Sequence, residues 1–90
     1  MRTSVDVRVT GRVQGVSFRF YAEREAARLG VAGWVRNEPD GSVAAHVEGD
    51  AVDVDAFVGW CHDGPSMAYV EHVDVRPVDD QGLTSFRTTG

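Results

Sequence analysis

The chain has 90 residues, a net charge of −5 at pH 7, 42% hydrophobic residues and a single cysteine, Cys61. That length supports one domain, residues 1–90, with one core in a two-layer fold, and the acidic balance excludes a general nucleic-acid binder, which needs a basic face. No apolar run reaches the length of a membrane helix, the lone cysteine rules out an internal disulfide or a thiolate metal cluster, and Met1 to Val5 lead into a strand pattern with no signal peptide, so a cytoplasmic monomer is expected.

Residues 4–10 alternate, with Val5, Val7 and Val9 apolar and Asp6, Arg8 and Thr10 polar, which predicts a half-buried strand. A loop containing Gly11 and Gly15 follows. Phe18, Ala22, Ala26 and Leu29 then share one face of a helix, and Gly30 stands at its C-cap position. Val31 to Asn37 predicts a second strand, Glu38-Pro39-Asp40-Gly41 a turn, and Ser42 to Glu48 a third strand, so the last two strands form a hairpin. In that third strand Val43, Ala45 and Val47 are expected inward and Ala44, His46 and Glu48 outward.

Asp50 is a predicted N-cap for a second helix carrying Val54, Phe57, Val58 and Cys61 on one face, ended by Gly64-Pro65. Residues 68–77 predict a fourth strand with a bulge near Glu71-His72, and residues 83–88 a weak fifth strand. His46, His62 and His72 lack ligand spacing and are expected at surface or edge positions, so no metal site is expected. Trp34 and Trp60 are expected as surface aromatics, and Cys61 as a core residue.

The order βαββαβ with a short extra C-terminal strand predicts an α+β, ferredoxin-like sandwich: an antiparallel sheet with two helices on one face. Right-handed crossovers make strands one and two parallel, with strand three between them. Their C-terminal ends then share one rim, which gathers the loop after strand one and Asn37 at the end of strand two.

That loop has the makings of an anion site. A helix N-terminus presents free N–H groups and the positive end of the helix dipole, and glycines let a backbone curl around an oxyanion. Arg19, in the first helical turn, adds a planar fork of donors suited to phosphate oxygens. The loop lacks the GKS/T ending of a Walker loop, and its glycine spacing and the short chain rule out a dinucleotide fingerprint. Asn37 offers a carboxamide able to accept a hydrogen bond from water and so position its oxygen, although it also suits the opening of the turn at Pro39-Asp40. The rim holds no strong nucleophile and no lysine, since all nine basic residues are arginine. Ser17 has no activating base beside it and reads as structural.

Gly11-Arg12-Val13-Gln14-Gly15-Val16-Ser17-Phe18-Arg19 resembles the signature of the acylphosphatase family, and Gly33-Trp34-Val35-Arg36-Asn37 resembles its second signature, at the expected distance. The resemblance runs over nearly the whole chain. It implies hydrolysis of small acyl phosphates by direct in-line attack of water, with no metal, no other cofactor and no phosphoenzyme. It implies that Arg19 binds phosphate, that Asn37 orients the water, and that Gln14, Gly15, Val16, Ser17 and Phe18 bind phosphate through their backbone. The tail Phe86 to Gly90 lacks the closing aromatic seen in many members, which leaves the packing of the last strand open. A phosphate-binding module without turnover and an RNA-binding domain of like topology are the competing readings. The charge, and the lack of strand aromatics in an RNA-binding pattern, oppose the second. The presence of Asn37 beside Arg19 opposes the first.

Overall fold

The structure, a computed structural model, describes residues 1–90. Its elements run β1 (Arg2–Arg12), α1 (Phe18–Leu29), β2 (Ala32–Asn37), β3 (Val43–Asp50), α2 (Ala51–Asp63), β4 (Tyr69–Pro77) and β5 (Phe86–Thr88). The five strands form one sheet in the order β4-β1-β3-β2-β5. β3 lies between β1 and β2 and is antiparallel to both, so β1 and β2 run parallel, as the crossover rule requires. β5 is the exception to the expected antiparallel sheet. It pairs parallel to β2, Gly33 with Phe86 and Val35 with Thr88, which makes the sheet mixed. It is also shorter than predicted and begins only at Phe86.

Both helices cover one face. Phe18, Ala22 and Ala26 of α1 and Val54, Phe57 and Cys61 of α2 close against Val7 and Val9 of β1 and Val43, Ala45 and Val47 of β3. Gly30 ends α1 in a left-handed C-cap and donates its N–H to the Ala26 carbonyl at 2.8 Å. Asp50 stands at the N-cap of α2 as expected, but its side chain makes no capping bond. The bulge falls where the broken period of β4 pointed: Thr10 pairs with His72 and Gly11 with Val70, leaving Glu71 unpaired. Phe86 packs on Phe57 at 5.4 Å between ring centroids, so the last strand is anchored without a closing aromatic.

The other sheet face corrects two expectations. Ala44, His46 and Glu48 are buried, His46 and Glu48 completely. β3 is the central strand, and the segment leading into β5 crosses its outer face. Glu48 accepts the backbone N–H groups of Gln81 and Leu83 at 2.8 and 2.7 Å. His46 lies between Asp6 and Glu48, its ring nitrogens 2.8 and 2.7 Å from their carboxylate oxygens. The tryptophans are also half-covered: Trp34 stacks on His46, and Trp60 packs against Phe18.

Candidate active site

The loop after β1 is built to keep its N–H groups free. Val13 is buried at its start and Phe18 just beyond its end, so the five-residue loop between Arg12 and Phe18 is pinned at both sides. Between them Gly15 has φ 73° and Ser17 φ 63°. Ser17 is the one non-glycine residue of the chain with positive φ, a conformation L-residues adopt at a cost. It occupies the N-cap position of α1, yet its side chain caps nothing. None of the backbone N–H groups of Gln14 to Phe20 donates to a backbone acceptor. Successive N–H groups in such a turn form a concave cradle for an anion, reinforced by the helix dipole.

A cavity of about 570 Å³ opens over this cradle, lined by Gly15, Ser17, Phe18, Arg19 and Asn37 among others. Topology thus joins the ends of β1 and β2 across β3, as the sequence predicts. Arg19 donates from Nη1 to the backbone oxygen of Gly90. Asn37 donates its backbone N–H to the same oxygen at 3.1 Å. The Asn37 side chain is the notable one: its Oδ1 is buried and has no hydrogen-bond partner. An orphaned buried acceptor is costly, on the order of 1–3 kcal/mol, and calls for a physical explanation.

Gln14 and Val16 do not line the cavity. The Gln14 carboxamide donates from Nε2 to the Glu38 carbonyl at 2.8 Å and the Ser42 carbonyl at 2.9 Å. It therefore clamps the loop to the β2–β3 turn that follows Asn37. Val16 packs against the core. The cavity also takes in Val13, which lies inside the first signature, and Phe20, Glu23 and Thr88, which the motifs do not mark. Glu23 was within reach of sequence reasoning, since it stands one turn after Arg19 on the same flank of α1. Thr88 was not, because only the parallel docking of β5 brings it there. It donates both its N–H and its Oγ1–H to Glu23 Oε2.

No side chain here is an activated nucleophile. Cys61 is in the core as expected, and burial pushes its thiol up to about 12. The site offers positioned donors, one guanidinium and one unpartnered amide oxygen.

Comparison with known proteins agrees in family. The acylphosphatase family model matches residues 5–88. The chain belongs to the acylphosphatase family. An acylphosphatase from Nocardioides sp. is 77% identical over 86 residues, spanning 96% of this chain and 87% of that one. The crystal structure of the acylphosphatase from Bacillus subtilis superposes with a TM-score of 0.94 at 32% identity and covers both chains completely. An acylphosphatase structure from Coxiella burnetii gives the same TM-score at 31% identity, covering 98% of this chain and 93% of that one. Membership makes the chain a hydrolase acting on small acyl phosphates. No helix is long and apolar enough to cross a membrane.

Proposed function

We propose that the chain hydrolyses the carboxyl–phosphate bond by in-line attack of water, without a metal, using Arg19 and Asn37. Within the loop from Gln14 to Phe18, the backbone N–H groups of the cavity-lining Gly15, Ser17 and Phe18 hold the phosphoryl oxygens together with the Arg19 guanidinium, while Gln14 and Val16 hold the loop in shape. Asn37 Oδ1 accepts a hydrogen bond from the attacking water and aims its lone pair at phosphorus. The bond from phosphorus to the acyl oxygen breaks as the bond to water forms. The carboxylate leaves with its electron pair and needs no proton. The proton lost by the water passes to phosphate or solvent.

The observation that carries this reading is the unpartnered Asn37 Oδ1, buried beside the cavity that Arg19 lines. Phosphoryl transfer asks mainly for position and charge stabilisation, and both are present without a general base. A module that only bound phosphate would have no use for a buried amide acceptor facing an acceptor-rich ligand. The acidic balance supports action on small molecules and not on nucleic acid, and we read the chain as a cytoplasmic monomer.

The test is hydrolysis of benzoyl phosphate, followed by ultraviolet absorbance with chelator present, for the wild type and Asn37→Ala. Rapid, chelator-resistant turnover that the substitution abolishes is expected. Full activity of Asn37→Ala would remove the water-positioning role, and loss of wild-type activity to the chelator would remove the metal-free route.

A further inference from the structure

The outer face of the sheet holds a buried ionisable cluster that the hydrolytic mechanism does not use. We propose that His46 is a doubly protonated imidazolium and a positioning residue for the catalytic rim, tying catalysis to pH from the far side of the sheet. This rests on Arg19 and Asn37 forming that rim.

His46 is completely buried. Its Nδ1 lies 2.8 Å from Asp6 Oδ1 and its Nε2 2.7 Å from Glu48 Oε1. A neutral imidazole has one N–H and can donate to only one of them. Neither acid offers the missing proton. Glu48 already accepts from the Gln81 and Leu83 N–H groups and from the Arg2 guanidinium, donors that cannot accept in return. Asp6 is a partly exposed carboxylate with the Arg76 guanidinium 3.9 Å from its other oxygen. Both ring nitrogens therefore donate.

Charge balance agrees. Asp80 bridges to Arg2, so three carboxylates and two guanidinia surround the ring, from β1, β3, β4 and the crossing segment. Only a charged ring makes that cluster neutral, and a buried charge left without its partner is strongly destabilising. β2 contributes the uncharged Trp34, stacked on the ring with 6.1 Å between centroids. The Arg36 guanidinium over Trp34 is neutralised by Glu38.

Glu48 is the ring's route to the site. Its hold on Gln81 and Leu83 fastens the segment that leads into β5. β5 pairs with β2 as far as Val35, two residues before Asn37, and its Thr88 donates twice to Glu23 in the wall of the catalytic cavity. When rising pH removes one ring proton, one carboxylate loses its donor and a buried negative charge goes unbalanced. Glu48 then draws in water or turns away, and its grip on the segment weakens. The rim is held in register while the ring is charged and loosens as pH rises.

Two readouts test this. A proton–nitrogen NMR spectrum of the wild type at neutral pH is expected to show both ring N–H groups of His46. The kcat for benzoyl phosphate is expected to fall by on the order of tenfold as pH rises, with the same inflection as the ring resonances. Asp6→Asn removes one facing charge at a partly exposed position and moves both inflections together to lower pH. His46→Gln cannot titrate, and its kcat shows no inflection there. A single ring N–H at neutral pH overturns the charged ring. A kcat profile that does not follow the ring, in the wild type or in Asp6→Asn, overturns its positioning role. Either result leaves the hydrolytic mechanism standing. A wild type that hydrolyses no benzoyl phosphate overturns that mechanism, and the positioning role with it.

Discussion

Arg19 and Asn37 line one cavity, and in the proposed mechanism they do different work, so their removal is expected to separate binding from chemistry. In that mechanism Arg19 supplies charge to both the bound and the reacting phosphoryl group. Arg19→Ala is expected to weaken competitive inhibition by inorganic phosphate and to lower kcat/KM by about 10²–10³, the usual cost of one preorganised donor. In that mechanism Asn37 holds a water and not the phosphoryl oxygens. Asn37→Ala is expected to lower kcat by roughly 10² while phosphate inhibition stays within about threefold. Steady-state kinetics with phosphate as inhibitor checks both, and parallel loss of phosphate affinity in the two variants contradicts the division of roles. Gly15 tests the cradle itself. A Cβ there would meet nothing within 4 Å, so Gly15→Ala meets no steric clash and acts only through its φ of 73°. About 1–2 kcal/mol of left-handed strain is expected to appear as phosphate affinity weakened up to roughly tenfold, with little change in Tm. A steep fall in Tm would instead assign Gly15 to folding.

At the level of elements, the loop and the β2–β3 hairpin are separate in sequence and joined by one carboxamide. Gln14 spends both amide hydrogens on the Glu38 and Ser42 carbonyls. Those carbonyls keep other donors, the N–H groups of Gly41 and Glu38, so Gln14→Ala orphans neither. A loss of about 1–2 kcal/mol in urea-unfolding stability is expected, together with a larger proportional loss of kcat, because the clamp sets Asn37 against the cradle. Equal kcat in wild type and variant would leave the clamp purely structural. This clamp also marks the limit of legibility in the sequence. The strand and helix periods of Val5–Val9, Phe18–Leu29 and Val54–Cys61 were readable because each element has one buried face. That Arg19 and Asn37 share one rim was readable because topology fixes which strand ends meet. The target of the Gln14 side chain was not, since a loop residue's rotamer depends on a hairpin 24 and 28 residues away. β3 misleads for a related reason. Its alternation looks half-exposed, but a central strand crossed by a later segment is buried on both faces, and no local pattern in Ala44, His46 and Glu48 announces the cover.

For the whole molecule, that cover is fastened by charge. Glu48 is fully buried on the central strand and faces His46 from its own strand, Arg2 from β1, and Gln81, Leu83 and Asp80 from the crossing segment. Burial alone pushes its carboxyl up, but the His46 ring and the two backbone N–H groups outweigh it and hold it at about 2, below the ordinary 4.5. A carboxyl depressed in the folded state gives stability that is fully present above its unfolded value and is lost as pH falls toward the folded one. The chain is therefore expected to lose stability as pH drops from about 4.5 toward 2. The segment latched by Glu48 leads directly into β5, and β5 places Thr88 on Glu23 and brings Gly90 to Arg19 and Asn37. Acid is thus expected to loosen the catalytic rim together with the outer face of the sheet. Urea midpoints taken between pH 2 and 6 for the wild type and Glu48→Gln test this. The variant should be less stable at pH 6 by about 1–3 kcal/mol, having lost a charged acceptor for buried donors, and flatter across the acid window. A wild-type slope that the variant retains in full would move the acid sensitivity to the exposed carboxylates, which the burial of Glu48 argues against.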